Sequence, residues 1–249
     1  MDEEGVVPCR LINPAKSEMG KVSKVILDNI NQEIRNAIEV NQWRSTSTVI
    51  KWFKSLKDKH HRTFMIFDIV DFYPSITEKL LTDALNWAKT YVSIPAIDHT
   101  VIMHARKSIL FNDANPWTKK DSKNSFDVTM GSHDGAEVCE LVGLFILHNL
   151  KQHLNPADVG LYRDDGLAAL RTRSGRLADM KRKEVTQLFN KFGLKVTIET
   201  NLQVVNYLDI TMNLANGSFA PYRKPGDNPL FIHSHSDHPP GIIKNIPQP

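Results

Sequence analysis

The chain has 249 residues, of which 41% are hydrophobic and 24% are charged, and its formal net charge is +3. These values are typical of a globular protein with a buried core, and they exclude wholesale disorder, a collagen-like repeat and a small disulfide scaffold. The two cysteines, Cys9 and Cys139, are too far apart in sequence for a zinc motif. No apolar run approaches the roughly 20 residues of a membrane span, and the acidic N-terminus is unlike a signal peptide. We therefore expect an intracellular protein, in the nucleus or cytoplasm, without a membrane partner.

The N-terminal part of the chain is predicted to contain two helices followed by a central strand. The first helix should begin near Ser17, because apolar residues then recur at a spacing of three to four. Its inner face would be formed by Met19, Val22, Ile26, Ile30, Ile34 and Ile38. A shorter helix should follow Ser45. Residues 63–70 are almost continuously apolar and rich in β-formers, which predicts a buried strand with Asp68 near its end.

The middle of the chain is predicted to be largely helical. Thr77 or Ser75 can cap a helix that extends to about residue 92, and a proline is tolerated in the first turn of another helix at about residues 95–110. Residues 112–124 are polar and rich in turn formers, which indicates an exposed loop or a hairpin. A long helix is expected at residues 134–154.

The C-terminal part is predicted to add strands and one more helix. Residues 159–169 read as two short strands around a tight turn at residues 163–166, because an Asp-Gly pair favours a hairpin. The later elements are a helix that is capped by Ser174, buries Leu177 and Met180 and closes at Gly193, followed by strands at 195–198 and 204–213. This order of elements predicts an α+β fold with a largely antiparallel sheet.

Two segments carry an excess of positive charge. Residues 51–62 have a net charge of +4, and residues 171–195 have a net charge of +6. Clusters of this kind can contact the phosphates of a nucleic acid. A solvated helix face produces the same pattern, so the charge distribution alone leaves both interpretations open.

Three carboxylates stand out because of their positions. Asp68 ends an apolar strand, where an unpaired charge is costly to bury. Asp164 and Asp165 are adjacent, and their like charges repel unless a cation neutralises them. Such oxygen ligands suit Mg²⁺, which binds one or two carboxylates together with substrate phosphates. A structural interpretation remains open for each residue, since Asp-Asp-Gly is a common turn and Asp68 could cap the next element.

The order and spacing of several motifs resemble those of reverse transcriptases. Residues 67–76 (FDIVDFYPSI) and 162–165 (YRDD) are similar to the two metal-binding motifs of that family. Residues 129–132 (TMGS), which precede a long helix, are similar to its glycine-led motif. Residues 10–16 (RLINPAK) resemble the basic strand of the fingers. The resemblance covers nearly the whole chain.

The resemblance continues toward the C-terminus. The last palm motifs of the family resemble residues 192–195 (FGLK) and 207–210 (YLDI). Residues 222–225 (YRKP) and the His-Pro segment after them are most like Penelope-type retroelement reverse transcriptases.

This resemblance implies the fold and the domain boundaries. We expect an α+β right-hand palm, in which helices pack on one face of an antiparallel sheet, with partial fingers and no thumb. Residues 1–62 would be the partial fingers. Residues 63–215 would be the palm, with a fingers insertion at about 93–128, and residues 216–249 would be the end of the palm and a linker toward the missing thumb.

The resemblance also implies an activity and a set of site residues. The chain would be an RNA-directed DNA polymerase, a nucleotidyltransferase that joins a dNTP to a primer 3′-hydroxyl on an RNA or DNA template; protein partners are not indicated. Two Mg²⁺ ions, with Mn²⁺ as a substitute, would be held by Asp68, Asp164, Asp165 and the backbone carbonyl of Ile69. The residues expected to contact the nucleotide are Tyr73, which would crowd the sugar 2′ position, Phe72, Arg10, Lys16 and Gly131. Those expected to contact nucleic acid are Tyr162, Arg163, Ser132 and Lys195.

The glycine-led motif departs from the family pattern and leaves alternatives open. His133 and Asp134 follow it and would add polarity where the template or base packs. The chain could therefore be a catalytically weak or inactive nucleic-acid-binding remnant of a retroelement. An unrelated α+β binding domain would instead place the carboxylates far apart. Three late histidines could chelate a metal or lie in an exposed loop, namely His233, His235 and His238.

Overall fold

The structure, a computed structural model, describes residues 17–107, 110–112, 115–117, 126–223 and 226, with the backbone alone for the short strands between 110 and 117. The helices are α1 (Glu18–Ala37), α2 (Thr46–Ser55), α3 (Phe72–Ser75), α4 (Glu78–Ala88), α5 (Ala96–His104), α6 (Gly135–Leu150) and α7 (Gly175–Lys191), with short 3-10 helices at Lys59–His61 and Pro156–Asp158. The strands are β1 (Asn41–Gln42), β2 (Thr63–Ile69), β3 (Leu110–Asn112), β4 (Asn115–Trp117), β5 (Val159–Tyr162), β6 (Asp165–Leu170), β7 (Val196–Leu202), β8 (Val204–Tyr207), β9 (Ile210–Asn213) and β10 (Phe219–Pro221).

Five strands form the central sheet, in the order β1-β5-β6-β2-β7. The strand β2 pairs antiparallel with β6 and with β7, and only the short β1 runs parallel to its neighbour β5. A second sheet has the order β10-β9-β8, and β3 and β4 form a hairpin. The predicted α+β fold with a largely antiparallel sheet is confirmed.

The strand β2 is buried on both sides because its alternate side chains enter two different cores. Met65, Phe67 and Ile69 lie in the main core with the inner faces of α1, α4, α6 and α7. Phe64 lies in the second core, where α2 and the strands β8 and β9 cover the other face of the sheet, and Ile66 packs against that core. Burial of such a side chain contributes roughly 1.5–3 kcal/mol, so this strand anchors both layers.

Three predicted helix starts are confirmed by side-chain caps. The Ser17 hydroxyl accepts a hydrogen bond from the Gly20 amide at 3.0 Å, and the Thr77 hydroxyl accepts one from Leu80 at 3.1 Å. The Ser174 hydroxyl accepts a longer bond from Leu177 at 3.4 Å. Each cap of this kind stabilises a helix by about 1 kcal/mol. Gly193, at φ +71°, closes α7 as predicted, because this left-handed conformation is accessible to glycine without strain.

Several predicted helix ends were wrong. The helix expected at 95–110 ends at His104, because the chain enters the strand β3 at Leu110. The helix expected at 77–92 ends at Ala88, and the one expected at 134–154 ends at Leu150. None of the described helices is long and apolar enough to cross a membrane.

Two predicted inner faces also need correction. Leu177 and Met180 of α7 are each 46% exposed, since no described element covers that side of the helix. Met19 and Val22 of α1 are exposed as well, because the helix turns small residues toward α6. A Cβ built on Gly20 would lie 3.3 Å from the His133 Cβ, so a large side chain at this position would force the two elements apart.

A tryptophan covers a glycine in the strand β5. A Cβ built on Gly160 would lie 2.4 Å from Cζ2 of Trp43, a separation that real Cβ contacts do not reach. The Trp43 ring also lies 5.0 Å from the ring of Trp52 and 5.6 Å from the ring of Tyr207, measured between centroids. The absence of a side chain at Gly160 therefore lets three aromatic rings pack on this side of the sheet.

One end of the central sheet carries a neutralised carboxylate. Asp158 precedes β5, and its two oxygens accept hydrogen bonds from the Arg62 side chain at 2.9 Å and from the Arg171 side chain at 2.6 Å. Arg62 is buried, and it also donates to the carbonyls of Lys57 and Ala169, each at a distance of 2.9 Å or less. This network joins the starts of β2 and β5 to the end of β6.

Candidate active site

Asp68 and the acidic hairpin lie together at the other end of the central sheet. Asp68 and Asp165 are paired residues on the antiparallel strands β2 and β6, and the Ile69 amide donates to the Asp164 carbonyl at 3.1 Å. Directly opposed residues have Cβ atoms about 4.5–5.5 Å apart. The structure therefore brings Asp68 next to Asp164 and Asp165, which lie nearly a hundred residues further along the sequence.

The alternation of the strands places two of these carboxylates on one face of the sheet. Asp68 shares its face of β2 with Phe64 and Ile66, and Asp165 shares its face of β6 with Leu167 and Ala169. These four apolar residues belong to or pack against the second core. Asp68 and Asp165 thus extend that face beyond the part that the second core covers.

The Asp68 carboxylate is exposed and is surrounded by other acids. Its partial burial raises its pKa, and the nearby charges of Asp164 and Asp71 raise the pKa further. Within the described part of the chain, no lysine, arginine or histidine forms an ion pair with Asp68 or with Asp164. The expectation that Asp68 is a buried charge was wrong, because the strand ends at the surface. Asp68, Asp164 and Asp71 are nevertheless a group of like charges close enough to influence one another.

The charges of both hairpin carboxylates raise the pKa of Tyr207, that of Asp165 more than that of Asp164. Asp164 is the residue whose charge acts on Asp68. Asp165 lies near Tyr207, whose pKa is raised well above the ordinary value first by burial and then by the Asp165 charge. The Tyr207 hydroxyl donates to the Asp165 carbonyl at 2.7 Å. The sequence motif gave no indication of this support from the second sheet.

The turn of the hairpin is displaced from its predicted position. Tyr162 pairs with Asp165, so the two turn residues are Arg163 and Asp164. Arg163 adopts a left-handed conformation at φ +54°, which is uncommon for a residue other than glycine. Gly166 lies in the strand β6 and does not form the turn.

Gly166 is required for a different reason. A Cβ at this position would lie 1.9 Å from Cε2 of Phe67, so the Phe67 ring occupies the space that any side chain would need. Phe67 immediately precedes Asp68. The close contact therefore fixes the distance between the strand that carries Asp68 and the strand that carries Asp165.

The tyrosine after the first acidic motif lies beside the helix α6. Tyr73 is half-buried in α3, and Cε1 of its ring would lie 3.6 Å from a Cβ built on Gly135. Its pKa is raised to about 12, first by burial and then by the neighbouring Cys139. Asp71, which precedes the short helix α3, has a left-handed φ of +48°.

Phe72 does not reach the site. Its side chain is 2% exposed and lies in the main core, so it cannot contact a nucleotide and that assignment was wrong. The helical turn of α3 explains the difference, because adjacent helical residues point in different directions: Phe72 enters the main core, whereas Tyr73 is half-buried beside α6.

Two polar side chains that follow Gly131 form contacts within the protein, namely Ser132 and Asp134. Asp134 is fully buried and forms an ion pair with the buried Arg106, so it does not project toward a template or base. The expectation of added polarity at that surface was wrong for Asp134. Gly131 is exposed at φ +89°, and the Ser132 hydroxyl donates to the Thr129 carbonyl at 2.8 Å.

Three of the other predicted contact residues lie on or beside the elements that carry the acidic cluster, namely Tyr162, Arg163 and Lys195. The Arg163 guanidinium lies 5.6 Å from the Tyr162 ring centroid, at the hairpin itself. The Lys195 carbonyl accepts a hydrogen bond from the Val70 amide at 2.9 Å, and its side chain is exposed next to the end of β2. Arg10, Lys16 and the histidines at 233, 235 and 238 lie outside the described residues.

The two basic segments differ in how many of their cations are bonded to other groups of the protein. In the segment 51–62, Arg62 is buried against Asp158 and the Lys59 ammonium donates to the Lys54 and Leu56 carbonyls, so part of that charge has a structural role. The two acids of α7 are paired with cations of that helix: Asp179 with Arg182 and Lys183, and Glu184 with Lys181. Arg171 is bonded to Asp158, and the remaining cations of 171–195 are exposed, namely Arg173, Arg176, Lys191 and Lys195.

The carboxylates fit a divalent metal that arrives with its substrate. Asp68 lies near the end of β2 and Asp164 in the turn of the neighbouring hairpin, and two such carboxylates are a donor set that suits Mg²⁺. Among the residues that the structure describes, no group of three or more His, Cys, Asp or Glu side chains is placed so that it could hold a metal ion by itself. The remaining ligands would therefore come from water and from substrate phosphates.

Comparison with known proteins identifies the fold. No family model and no curated protein matches the sequence. Among solved structures, apo telomerase from Candida tropicalis has a TM-score of 0.62 at 11% identity, over 83% of this chain and 41% of that chain. The RNA-dependent RNA polymerase of a human picobirnavirus has a TM-score of 0.56 at 15% identity, over 78% of this chain and 38% of that chain.

A third solved structure agrees. The BmCPV RNA-dependent RNA polymerase at its elongation state has a TM-score of 0.53 at 10% identity, over 84% of this chain and 20% of that chain. The chain thus spans less than half the length of each of these structures. At such low identities the similarity defines the fold alone: this is the palm-like α+β fold found in nucleic-acid polymerases.

Proposed function

We propose that this chain is the core of a template-directed nucleotidyltransferase, and specifically of an RNA-directed DNA polymerase from a retroelement. The observation that carries the proposal is the proximity of Asp68, at the end of β2, to Asp164, in the turn between β5 and β6, where neither carboxylate has an ion-pair partner among the described residues. Its substrates would be dNTPs, and its partner an RNA or DNA template with a primer. The resemblance to Penelope-type enzymes in particular rests on residues 222–225 and the His-Pro segment after them.

Each residue of the cluster has a specific task in this proposal. Asp68 and Asp164 would hold the two ions, with the Ile69 carbonyl as a further oxygen ligand. Asp165 would contribute less, as the family resemblance implies. Magnesium, when bound, supplies the positive charge that stabilises the attacking and leaving oxygens of a phosphoryl displacement. No side-chain nucleophile is needed, since positioning and electrostatics account for most of the catalysis in phosphoryl transfer.

The neighbouring residues would position the substrates. Tyr73 would pack against the sugar and exclude a 2′-hydroxyl, which favours deoxynucleotides. Gly131 and Ser132 would contact the nucleotide and the template. Tyr162, Arg163 and Lys195 would contact the primer end. Arg10 and Lys16 remain sequence-based candidates for the triphosphate.

The proposed domain organisation follows the same assignment. Residues 63–215 would form the palm, and residues 1–62 together with about 93–128 would belong to the fingers. The surplus positive charge of residues 171–195 would attract nucleic acid.

The inactive-remnant alternative is weakened by the position of Asp134. That alternative drew on the polar residues of the glycine-led motif, and Asp134 is buried against Arg106 rather than exposed at the cleft. An inactive remnant would bind template-primer without extending it, which makes the two functions experimentally separable.

Primer extension tests the proposal directly. The wild-type chain is incubated with a labelled primer on RNA or DNA template and dNTPs, with Mg²⁺ or with EDTA. We expect extension with Mg²⁺ only, and Asp164→Asn should lower the rate by about 10³-fold, because several kcal/mol of transition-state stabilisation are lost. Asp83→Asn is the matched control, since Asp83 is a surface acid paired with Lys79.

Binding separates the possible outcomes. Template-primer affinity, measured by fluorescence anisotropy, should change by less than about threefold in Asp164→Asn and should fall steeply with salt, with a slope of about 0.9 per phosphate contact on duplex. Binding without extension by the wild type would favour the remnant. Neither binding nor extension would leave only a domain with a palm-like fold.

A further inference from the structure

Two tight hairpins meet beside Asp68. In the acidic hairpin, which is formed by β5 and β6, Tyr162 pairs with Asp165 across a two-residue turn. In the second hairpin, which is formed by β8 and β9, Tyr207 pairs with Ile210 across a turn of the same length. The Tyr207 hydroxyl donates a hydrogen bond of 2.7 Å to the Asp165 carbonyl, so the residues that close the two turns are bonded to each other.

The turn that carries Asp164 is held at two successive carbonyls. The carbonyl of Asp164 accepts a hydrogen bond from the Ile69 amide at 3.1 Å, and the next carbonyl, that of Asp165, accepts the bond from Tyr207. Arg163, the other residue of this turn, has a left-handed φ of +54°. Such a conformation persists in a residue other than glycine only where its surroundings hold it. The two hydrogen bonds therefore maintain the shape of a turn that would otherwise relax.

Tyr207 is itself firmly anchored. Its side chain is 5% exposed and lies in the second core, with its ring edge-on to Trp43 at 5.6 Å between centroids. At the turn of its hairpin, the Asp209 carboxylate accepts a hydrogen bond from the Thr46 hydroxyl of α2 at 3.1 Å, and the Asp209 carbonyl accepts one from the Tyr222 amide at 2.8 Å. Because a close-packed core resists displacement, the hydroxyl has a fixed position relative to the central sheet.

We propose that Tyr207 is a positioning residue that fixes the acidic hairpin so that the Asp164 carboxylate stays close to Asp68. The inference rests on the proposed function, because it concerns the residues that would hold the metal ions. Tyr207 acts through the backbone of Asp165 and not by contact with a metal or a substrate. Groups that orient a metal ligand commonly change metal affinity or activity by roughly 10–100-fold when they are removed.

Metal affinity of the free protein is the first measurement. Mg²⁺ or Mn²⁺ is titrated into the chain without nucleic acid or nucleotide, and the dissociation constant is taken from the rise in melting temperature. We expect this constant to increase by about tenfold in Tyr207→Phe, which removes the hydroxyl and keeps the ring. Val205→Ala is the matched control, because Val205 lies on the same strand and in the same core. It should lower the melting temperature without changing the metal affinity.

Hydrogen exchange in EDTA reports on the acidic hairpin without any metal. The amides of residues 160–167 should exchange about fivefold faster in Tyr207→Phe, while those of residues 204–213 should change by less than about twofold. If Tyr207 served only to pack the second core, both segments would exchange faster to the same extent, as in Val205→Ala, and the metal affinity would not change. Either of these results would overturn the proposal.

Primer extension separates this inference from the proposed function. At saturating dNTP, the Mg²⁺ concentration that gives half the maximal rate should rise by about tenfold in Tyr207→Phe. An unchanged Mg²⁺ requirement would overturn the positioning role and leave the proposed function intact. Weaker metal binding by Tyr207→Phe, in a chain whose wild type extends no primer, would retain the positioning role and reject the proposed function. A wild-type chain that neither binds metal nor extends a primer would overturn both.

Discussion

The two ends of the central sheet treat acidic residues in opposite ways. At one end, Asp158 is buried and bonded to Arg62 and Arg171. At the other end of the same strands, Asp68 and Asp164 repel each other and no described cation is paired with either. The carboxylate of Asp158 is neutralised by the protein, whereas in the proposed function this pair would be neutralised by the metal ions. The difference therefore indicates which acidic cluster is structural and which is suited to a metal.

The largest loss of stability should come from the end of the sheet where Asp158 is neutralised by two arginines. Asp158→Ala leaves the buried Arg62 without its carboxylate and should lower the free energy of unfolding by about 3–5 kcal/mol. Asp164→Ala, the same change at the other end, should alter it by less than about 0.5 kcal/mol, because partly exposed charges are screened. Urea denaturation of both variants measures the contrast. Equal losses would show that the two ends do not differ.

The second largest loss of stability should come from the contact between Gly166 and Phe67, which sets the spacing of β2 and β6 at the acidic end. Gly166→Ala would place a methyl group 1.9 Å from the Phe67 ring, and the overpacking should cost about 1–3 kcal/mol. Primer extension should fall as well, since the hairpin moves relative to Asp68. Phe67→Leu in the same chain should restore part of both. A Gly166→Ala variant with the stability and extension rate of wild type would contradict the assigned role of the contact.

Divalent metal should stabilise the acidic end selectively. At a concentration of Mg²⁺ or Mn²⁺ ten times its dissociation constant, a site that exists only in the folded protein adds about 1.4 kcal/mol. Thermal unfolding with metal and with EDTA measures this shift. Asp83→Asn should retain the stabilisation, and the Asp68→Asn, Asp164→Asn double variant should lose it. An identical shift in the double variant would assign the metal to another part of the chain.

The smallest effect concerns the repulsion itself. In EDTA, Asp68→Asn removes one charge from the neighbourhood of Asp164 and Asp71 and should raise the free energy of unfolding by at most about 0.5 kcal/mol. The gain should shrink at high salt, since salt screens exposed charges. A loss of stability under these conditions would mean that Asp68 makes a favourable contact in the folded chain.

Local signals in the sequence were enough for much of the fold. The caps at Ser17, Thr77 and Ser174 and the apolar run of β2 depend on neighbouring residues, and the structure has them where the pattern predicts. Helix ends were less predictable, because the apolar spacing continues past Ala88 and Leu150 to Val92 and Leu154, which are buried in the main core without being helical.

The candidate site required more than local patterns. That Asp68 would meet Asp164 came from the motif resemblance, since the register between β2 and β6 is a long-range property. The Arg106–Asp134 pair was missed, because both residues look like surface charges in sequence and only the packing of α6 buries them. Leu177 and Met180 were misassigned because periodicity shows that a helix has an apolar face but not which neighbours will cover it.

The tryptophan that covers Gly160 has an evolutionary consequence. A bulkier residue at 160 cannot appear while the indole of Trp43 stays in place, and loss of that indole would leave a void above the strand. In related sequences, residues 43 and 160 should therefore change together. Such paired replacements would help to recognise relatives whose overall sequence identity is low.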